Sequence, residues 1–166
     1  MVESTNMKRQ KGFTLIEMLV VISLVGILTV LSLVSFRSAQ KQTNDTVRKS
    51  DLKQYQNALE GYGNLTNGLF PSRTAVSSAY STLCGDLNIK FEPDISCSQD
   101  PKTEVDATYY DYKYISDGTN GTASATKYVL WALLENKPTT TYWVLCSIGK
   151  SGEKVSPAPS TSSCPI

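Results

Sequence analysis

Few side chains in this sequence are of the types that carry out catalysis. The 166 residues include no histidine, which excludes Ser-His and Cys-His nucleophile pairs, imidazole metal ligands and a histidine general base. Gly149-Lys150-Ser151 resembles the end of a phosphate-binding loop, but Val144 stands where such a loop requires a glycine. The residue types and their spacing therefore predict no enzyme and no bound cofactor.

Cation binding is a second chemistry to consider, because acidic residues cluster between positions 92 and 106. Carboxylate oxygens are the ligands that calcium prefers, but the spacing here matches no EF-hand loop. A solvated charged loop is the favoured interpretation, and we expect no metal site. The carboxylates concerned are Glu92, Asp94, Asp100, Glu104 and Asp106.

Nucleic-acid binding has equally weak support. The formal net charge is only +1, and no aromatic residue interleaves with the basic residues of segment 37–53, as single-strand binding would prefer. We therefore favour a solvated helix face, near lipid head groups or between subunits, and expect no nucleic acid. The basic residues are Arg37, Lys41, Arg48, Lys49 and Lys53.

The four cysteines form an even set without a C-x-x-C pair, as expected for disulfides in an oxidising compartment. Four cysteines allow three connectivities, which the sequence alone does not distinguish. We favour Cys84–Cys97 and Cys146–Cys164 because both pairs close short loops. The second pair would tie the Pro/Ser-rich tail 156–166 to the preceding strand.

These residues must be positioned by a chain that begins with a long apolar segment. Phe13 to Phe36 is a run of 24 residues with a single charge, Glu17. As a helix it would be about 36 Å long, enough to cross a bilayer core of ~30 Å. The run exceeds the ~7–15 apolar residues of a signal peptide, and no A-x-A-like cleavage site follows it. We therefore expect a membrane anchor that remains in the mature chain.

The orientation of this anchor rests on the cysteines. Basic residues lie both before the apolar run (Lys8, Arg9 and Lys11) and after it, so the positive-inside rule is not decisive. Disulfides place the C-terminal part of the chain outside the cytoplasm. Position alone leaves two interpretations of Glu17, a tolerated charge near the end of the span or a functional group.

The segment Lys11-Gly12-Phe13-Thr14-Leu15-Ile16-Glu17 resembles the processing motif of type IV prepilins and the related pseudopilins, and the apolar run behind it matches as well. The resemblance covers roughly the first third of the chain. It implies cleavage between Gly12 and Phe13 by a prepilin peptidase on the cytoplasmic side, N-methylation of Phe13, and an assembly role for Glu17.

A physical argument agrees with this implied role. After cleavage, Phe13 would carry an α-amino group at the tip of an apolar helix. In a filament of packed helices, the Glu17 carboxylate of one subunit could pair with the Phe13 ammonium of its neighbour, since an unpaired charge in a low dielectric is costly. Such pairing would set the axial register more than it would add stability.

One position departs from the family pattern. Many family members carry a proline about eight residues after a glycine in this helix, at the place where the helix can melt during assembly. Gly26 is present here, but Val34 stands at the position of the proline. The sequence therefore does not predict melting of this helix, although Gly26 could still allow close packing.

Beyond the span, residues 37–63 continue as helix, with i,i+4 charge pairs and an apolar stripe suited to lie on a sheet. The stripe consists of Leu52, Tyr55, Leu59 and Tyr62. Residues 64–108 are rich in Ser, Thr, Asn and Pro, and we expect mostly loop. Three strands are predicted within Tyr109–Tyr114, Lys127–Glu135 and Thr140–Ile148, joined as an antiparallel meander.

The sequence thus predicts an α+β, pilin-like chain with four segments: a leader (1–12), a transmembrane or filament-core helix (13–36), its packed continuation (37–63) and an extracytoplasmic sheet head (64–166). The leading hypothesis is a structural subunit of a type IV pilus, anchored in the cytoplasmic membrane before assembly and part of an extracellular filament afterwards. Its implied partners are other pilins, a prepilin peptidase, assembly proteins and the inner membrane. The alternatives are a pseudopilin of type II secretion or DNA uptake, and a membrane-anchored binding module with a coincidental motif.

Overall fold

The computed structural model describes residues 12–90 and 97–166. Residues 1–11, which hold most of the predicted leader, and the acidic residues Glu92 and Asp94 lie outside this part of the chain. The chain divides into two compact units with a boundary between Ala39 and Gln40. The first unit is a helical segment, and the second unit, Gln40–Ile166, is called the head below.

The first element, α1, runs from Leu15 to Leu65, within two residues of the predicted helix at either end. No proline interrupts it, and its N-terminal part is long and apolar enough to cross a membrane. The helix ends where Gly68 takes a left-handed conformation, with φ of 80°, and donates its N–H to the Gly63 carbonyl at 2.8 Å. A glycine is favoured here because side chains disfavour that region.

The head contains a five-stranded antiparallel sheet in the order β2-β3-β5-β6-β7, and β1 pairs with β4 beside it. The meander of three predicted strands corresponds to β3, β5 and β6, so the predicted α+β fold is confirmed. The strands are β1 (Phe70–Pro71), β2 (Ser77–Ser78), β3 (Lys113–Ser116), β4 (Ala123–Ala125), β5 (Tyr128–Leu134), β6 (Thr141–Cys146) and β7 (Ser151–Val155).

The predicted apolar stripe of α1 forms the core with the inner face of the sheet. Its four residues are at most 5% exposed and pack with Tyr114, Tyr128, Leu130 and Leu145. Buried tyrosines also link helix and sheet by hydrogen bonds, since the Tyr112 hydroxyl donates to Asp51 at 2.6 Å and the Tyr128 hydroxyl donates to Glu60 at 2.8 Å.

The outer face of the sheet is covered by the C-terminal tail. Val129, Trp131 and Val144 form a second apolar cluster, against which Cys164 and Ile166 pack. This explains why β5 is apolar on both faces, since one face meets α1 and the other meets the tail. The Cys146–Cys164 disulfide fixes the tail to β6.

The segment 64–108 contains more structure than the sequence led us to expect. A π-helical turn (Ala79–Leu83) and a short helix, α2 (Cys84–Lys90), follow β2. The expectation of mostly loop was wrong here because Ala79, Leu83 and Leu87, spaced four residues apart, form a helical stripe that is fully buried. The Cys84–Cys97 disulfide joins the first residue of α2 to the start of the segment 97–112, which leads into β3.

Two strand assignments also need correction. The first predicted strand begins at Lys113 instead of Tyr109, because Tyr109 is 54% exposed and lies before the sheet. The edge strand β7 was not predicted, since it contains a single apolar side chain, Val155, and its residues alternate only between exposed and half-buried positions.

Candidate functional site

The resemblance points first to the bond between Gly12 and Phe13. Both residues precede α1, and both are exposed, with 81% of Phe13 accessible. A Cβ added at Gly12 would meet nothing within 4 Å. The folded chain therefore does not itself require glycine at this position, and the bond is open to an enzyme.

The carboxylate of Glu17 closes the first turn of α1. Its Oε2 accepts hydrogen bonds from the Thr14 N–H and the Thr14 hydroxyl, each at 2.7 Å, while the Glu17 N–H donates to Thr14 Oγ1 at 3.3 Å. This reciprocal arrangement is a capping box, which satisfies amides that lack a partner at a helix start. The negative charge also lies at the positive end of the helix dipole.

C-terminal to this first turn, α1 has an exposed apolar surface that no other part of the described chain covers. All large apolar side chains between Phe13 and Val30 are between 43% and 92% exposed. Glu17 is the one charged residue in the stretch from Phe13 to Phe36. A surface of this kind is stable only in lipid or packed against other apolar helices. Its exposed members include Leu15, Ile16, Met18, Leu19, Ile22, Leu24, Ile27 and Leu28.

A buried ion cluster lies in the head, centred on Arg48 of α1, whose side chain is 0% exposed. Its guanidinium donates to both Asp100 oxygens at 2.6 and 2.9 Å, to Asp45 at 2.9 Å and to Glu135 at 2.5 Å. Lys102 also pairs with Glu135. The cluster therefore fastens α1 to the loop after the first disulfide and to the end of β5.

The cluster shifts the protonation equilibria of its members. Burial alone would lower the pKa of Arg48, but the hydrogen bonds and charges of Asp100 and Glu135 outweigh burial and raise it. Burial would likewise raise the pKa of Glu135, yet the hydrogen bonds from Lys102 and Arg48 hold it below its usual range. Both groups are thus charged at neutral pH.

The remaining candidate residues from the sequence are accounted for differently. Within residues 12–90 and 97–166, no group of three or more acidic or cysteine side chains could hold a metal ion. Asp100 is bound to Arg48, and Asp106 accepts the N–H groups of Thr108 and Tyr109 at 2.9 and 3.0 Å. The expectation that Arg48 belongs to a solvated basic face was wrong, because its charge is compensated by three carboxylates.

The sequence contained a signal for one of the two features that were not predicted. Thr14 and Glu17 stand in the S/T-x-x-E spacing directly before an apolar run, which is typical of a capping box. The Arg48 cluster had no comparable signal, because Asp100 and Glu135 lie far from Arg48 along the chain.

Comparison with known proteins places the chain in a family. Residues 7–33 match the family model described as the prokaryotic N-terminal methylation motif, which covers Gly12, Phe13, Thr14 and Glu17. No solved structure gives a significant match.

Three curated proteins are similar over longer stretches. The type II secretion system core protein G of Pseudomonas aeruginosa is 32% identical over 69% of this chain and 79% of its own length. The type IV major pilin protein PilE1 of Neisseria gonorrhoeae is 28% identical over 76% of this chain and 71% of its own. The type IV wide pilus major component PilA4 of Thermus thermophilus is 32% identical over 51% and 64%. The chain therefore belongs to the family of type IV pilins and pseudopilins.

Proposed function

We propose that this chain is a structural subunit of a type IV pilus, built into the filament through its N-terminal helix. The observation that carries the proposal is the exposed apolar surface of α1, from Phe13 to Val30, with its single carboxylate near the helix start. An apolar helix that moves from lipid into a bundle of like helices changes its surroundings little. Membership of the pilin family supports the same role.

The leader 1–12 would be removed by a prepilin peptidase at the Gly12–Phe13 bond, and Phe13 would then be N-methylated. The accessibility of this bond supports the proposal, because no side chain within residues 12–90 and 97–166 crowds Gly12. Segment 13–36 would next serve as membrane anchor and later as filament core. Segment 37–63 would continue the helix and pack on the sheet head formed by 64–166.

Glu17 has two roles in this proposal. Within the subunit it caps α1 through Thr14. In the filament its carboxylate would also attract the methylated ammonium of Phe13 from a neighbouring subunit, since a lone charge among apolar helices is costly. Only one oxygen of Glu17 is engaged by Thr14, so the other is suited to this second contact.

The head would lie outside the cytoplasm, and the leader would face the prepilin peptidase on the cytoplasmic side. Two disulfides in the head support this sidedness, because such bonds persist in oxidising compartments. Before assembly the subunit would reside in the cytoplasmic membrane. Separate assembly and motor proteins would extract it into an extracellular filament with other pilins.

We further infer a structural and not a catalytic role, in keeping with the pilins and pseudopilin that the chain resembles. A pseudopilin of a type II secretion or DNA-uptake machine is the second candidate. The similarity to a type II secretion core protein over 79% of that protein's length favours it. The N-terminal chemistry is the same in both cases, so the location of the assembled chain distinguishes them.

Substitution of Glu17 separates its two roles. Glu17→Ala removes both cap and charge, whereas Glu17→Gln keeps an acceptor for the cap and removes only the charge. We expect both variants to be expressed and cleaved but to give less filament, measured as protein sheared from the cell surface. Ser23→Ala, which alters another polar side chain of the same helix, is the control. Normal filament yield from Glu17→Gln would refute the pairing between subunits.

Cleavage is tested at Gly12. Because this residue has open space around it, Gly12→Leu should leave the fold intact and block processing. The chain would then keep its leader, as measured by its mass. A product of mature length from this variant would exclude cleavage at the proposed bond.

A further inference from the structure

An open pocket of about 430 Å³ lies in the head at the end where β5 turns into β6. Three lysines line it, Lys41 from α1, Lys102 from the loop before β3, and Lys137 from the turn itself. Tyr109 and Tyr110 form an aromatic wall with ring centroids 5.0 Å apart. The Lys102 ammonium lies 5.2 Å from the Tyr110 ring centre.

Positive charge predominates in the lining of this pocket. Its three lysines face one carboxylate, Glu135, which is 5% exposed and already bound by Arg48 and Lys102. Lys137 is held from outside the pocket by Glu153, at 2.7 Å. Lys41 is exposed on the surface of α1. Hydroxyls from Thr139 and Thr140 complete the rim.

The position of Lys41 along the chain ties the pocket to the membrane surface. The apolar run ends at Phe36, five residues before Lys41, which is about 7.5 Å of helix and at most ~17 Å of fully extended chain. The head-group layer of a bilayer adds ~5–7 Å on each side of its hydrocarbon core. A pocket that includes Lys41 is therefore within reach of the lipid head groups while the run spans the bilayer.

We propose that this pocket, lined by Lys41, Lys102, Lys137, Tyr109 and Tyr110, binds the phosphodiester head group of an anionic phospholipid while the subunit waits in the membrane. The ammonium groups donate to phosphate oxygens, and the hydroxyls of the threonines donate to the glycerol oxygens. This inference rests on the membrane-anchoring part of the proposed function and on nothing that concerns the filament.

Two arguments favour a lipid over a free phosphate ion. Because Lys41 follows the anchor by only five residues, the anchor keeps the pocket tethered near the head groups, and their effective concentration is far above that of a dissolved ion. Tyrosine and lysine are also the side chains that proteins place at this level of a bilayer, because each combines an apolar stem with a polar tip. Release from the head group would then be one step in extraction of the subunit.

The test uses the full-length chain purified in neutral detergent and supplied with equal amounts of phosphatidylglycerol and phosphatidylcholine. Native mass spectrometry counts the lipids of each kind that stay bound. We expect clear preference for phosphatidylglycerol. Resistance of the chain to alkaline carbonate extraction from membranes is measured separately, so a failure of anchoring is distinguished from a failure of the pocket.

Single variants assign the preference to this pocket. Lys41→Gln and Lys137→Gln should each lower retention of phosphatidylglycerol about fivefold, the effect expected of one lysine at an anionic surface. Glu153→Gln frees Lys137 from its carboxylate and should raise retention. Lys150→Gln is the matched control, since this exposed lysine lies at the opposite end of β6, about 20 Å away along the strand.

Three results would overturn the proposal. Equal retention of the two lipids by the unsubstituted chain would exclude an anionic head group as the ligand. Equal losses from Lys41→Gln and Lys150→Gln would show a general charge effect. Full displacement of phosphatidylglycerol by inorganic phosphate at the same concentration would assign the pocket to a free ion.

Discussion

Replacement of Arg48 by methionine tests whether the buried ion cluster holds the part of α1 that belongs to the head against the sheet and the loop at Asp100. Methionine has a similar length and no charge, so it removes the guanidinium and leaves three carboxylates behind. The side chains of Asp45, Asp100 and Glu135 are 10%, 1% and 5% exposed. Water therefore has little access to the charges that lose their partner.

The size of the effect follows from the bonds that remain. Arg48 makes four hydrogen bonds to these carboxylates, and at ~1.5 kcal/mol each their loss would approach about 6 kcal/mol. Asp45 keeps the N–H groups of Glu135 and Asn136 at 2.8 and 2.9 Å, and Glu135 keeps Lys102. We therefore expect a loss of about 3–5 kcal/mol, as for other broken buried ion pairs.

The free energy of unfolding lost in Arg48→Met should also depend on pH. Because the pKa of Glu135 is held below its usual range in the folded chain, its stabilisation is complete above the ordinary glutamate pKa of ~4.3 and is lost as the pH falls through the lowered value. Arg48→Met removes one cause of that lowering. The difference in unfolding free energy between the two proteins should therefore be largest at pH 7 and smaller near pH 3.

The measurement is urea unfolding of the full chain in detergent micelles, followed by fluorescence of Trp131 and Trp143 in the sheet. Lys53→Met is the control, since Lys53 is an exposed residue of the same helix whose ammonium donates to the Gln56 side-chain oxygen at 2.8 Å. Its effect should stay within ~0.5 kcal/mol. A loss below about 1 kcal/mol for Arg48→Met, or one equal at both pH values, would refute the reasoning.

Two further predictions concern the head, and the same unfolding measurement checks them. Gly118→Ala should lower the free energy of unfolding by about 2 kcal/mol more than Gly121→Ala does. Both glycines have positive φ, but a Cβ at Gly118 would lie 2.4 Å from the Ser72 hydroxyl oxygen, whereas one at Gly121 would meet nothing within 4 Å. Equal losses from the two variants would contradict this prediction. Replacing Cys146 and Cys164 together by serine should lower the free energy of unfolding by about 3 kcal/mol, since their disulfide joins residues 18 apart along the chain. Unchanged stability under non-reducing conditions would contradict this prediction.

The elements with a strong periodic pattern could be predicted from the sequence. The apolar stripe of α1 and the two long apolar strands, β5 and β6, lie where spacing placed them, because burial against a single core imposes that spacing. The two short-loop disulfide pairings are those the structure contains. Loop length favoured them over the other connectivities.

The features that escaped prediction depend on contacts between distant parts of the chain. Strand β7 is polar and stable only because β6 lies beside it, with Thr141 opposite Val155 at one end. The buried state of Arg48 likewise requires Asp100 and Glu135, which the fold alone brings to it. Local propensity carries no information about such pairings.

The central claim is that the chain is processed and assembled as a pilus subunit. The intact mass of the assembled chain tests this claim most directly. The chain is taken from filaments sheared from the cell surface and its intact mass is measured without reduction. We predict the mass of Phe13–Ile166 plus one methyl group and less four hydrogens, which reports cleavage, methylation and both disulfides. Processed chain found only in the membrane fraction would favour a pseudopilin, and a chain that still carries Met1–Gly12 in the filaments would contradict the account.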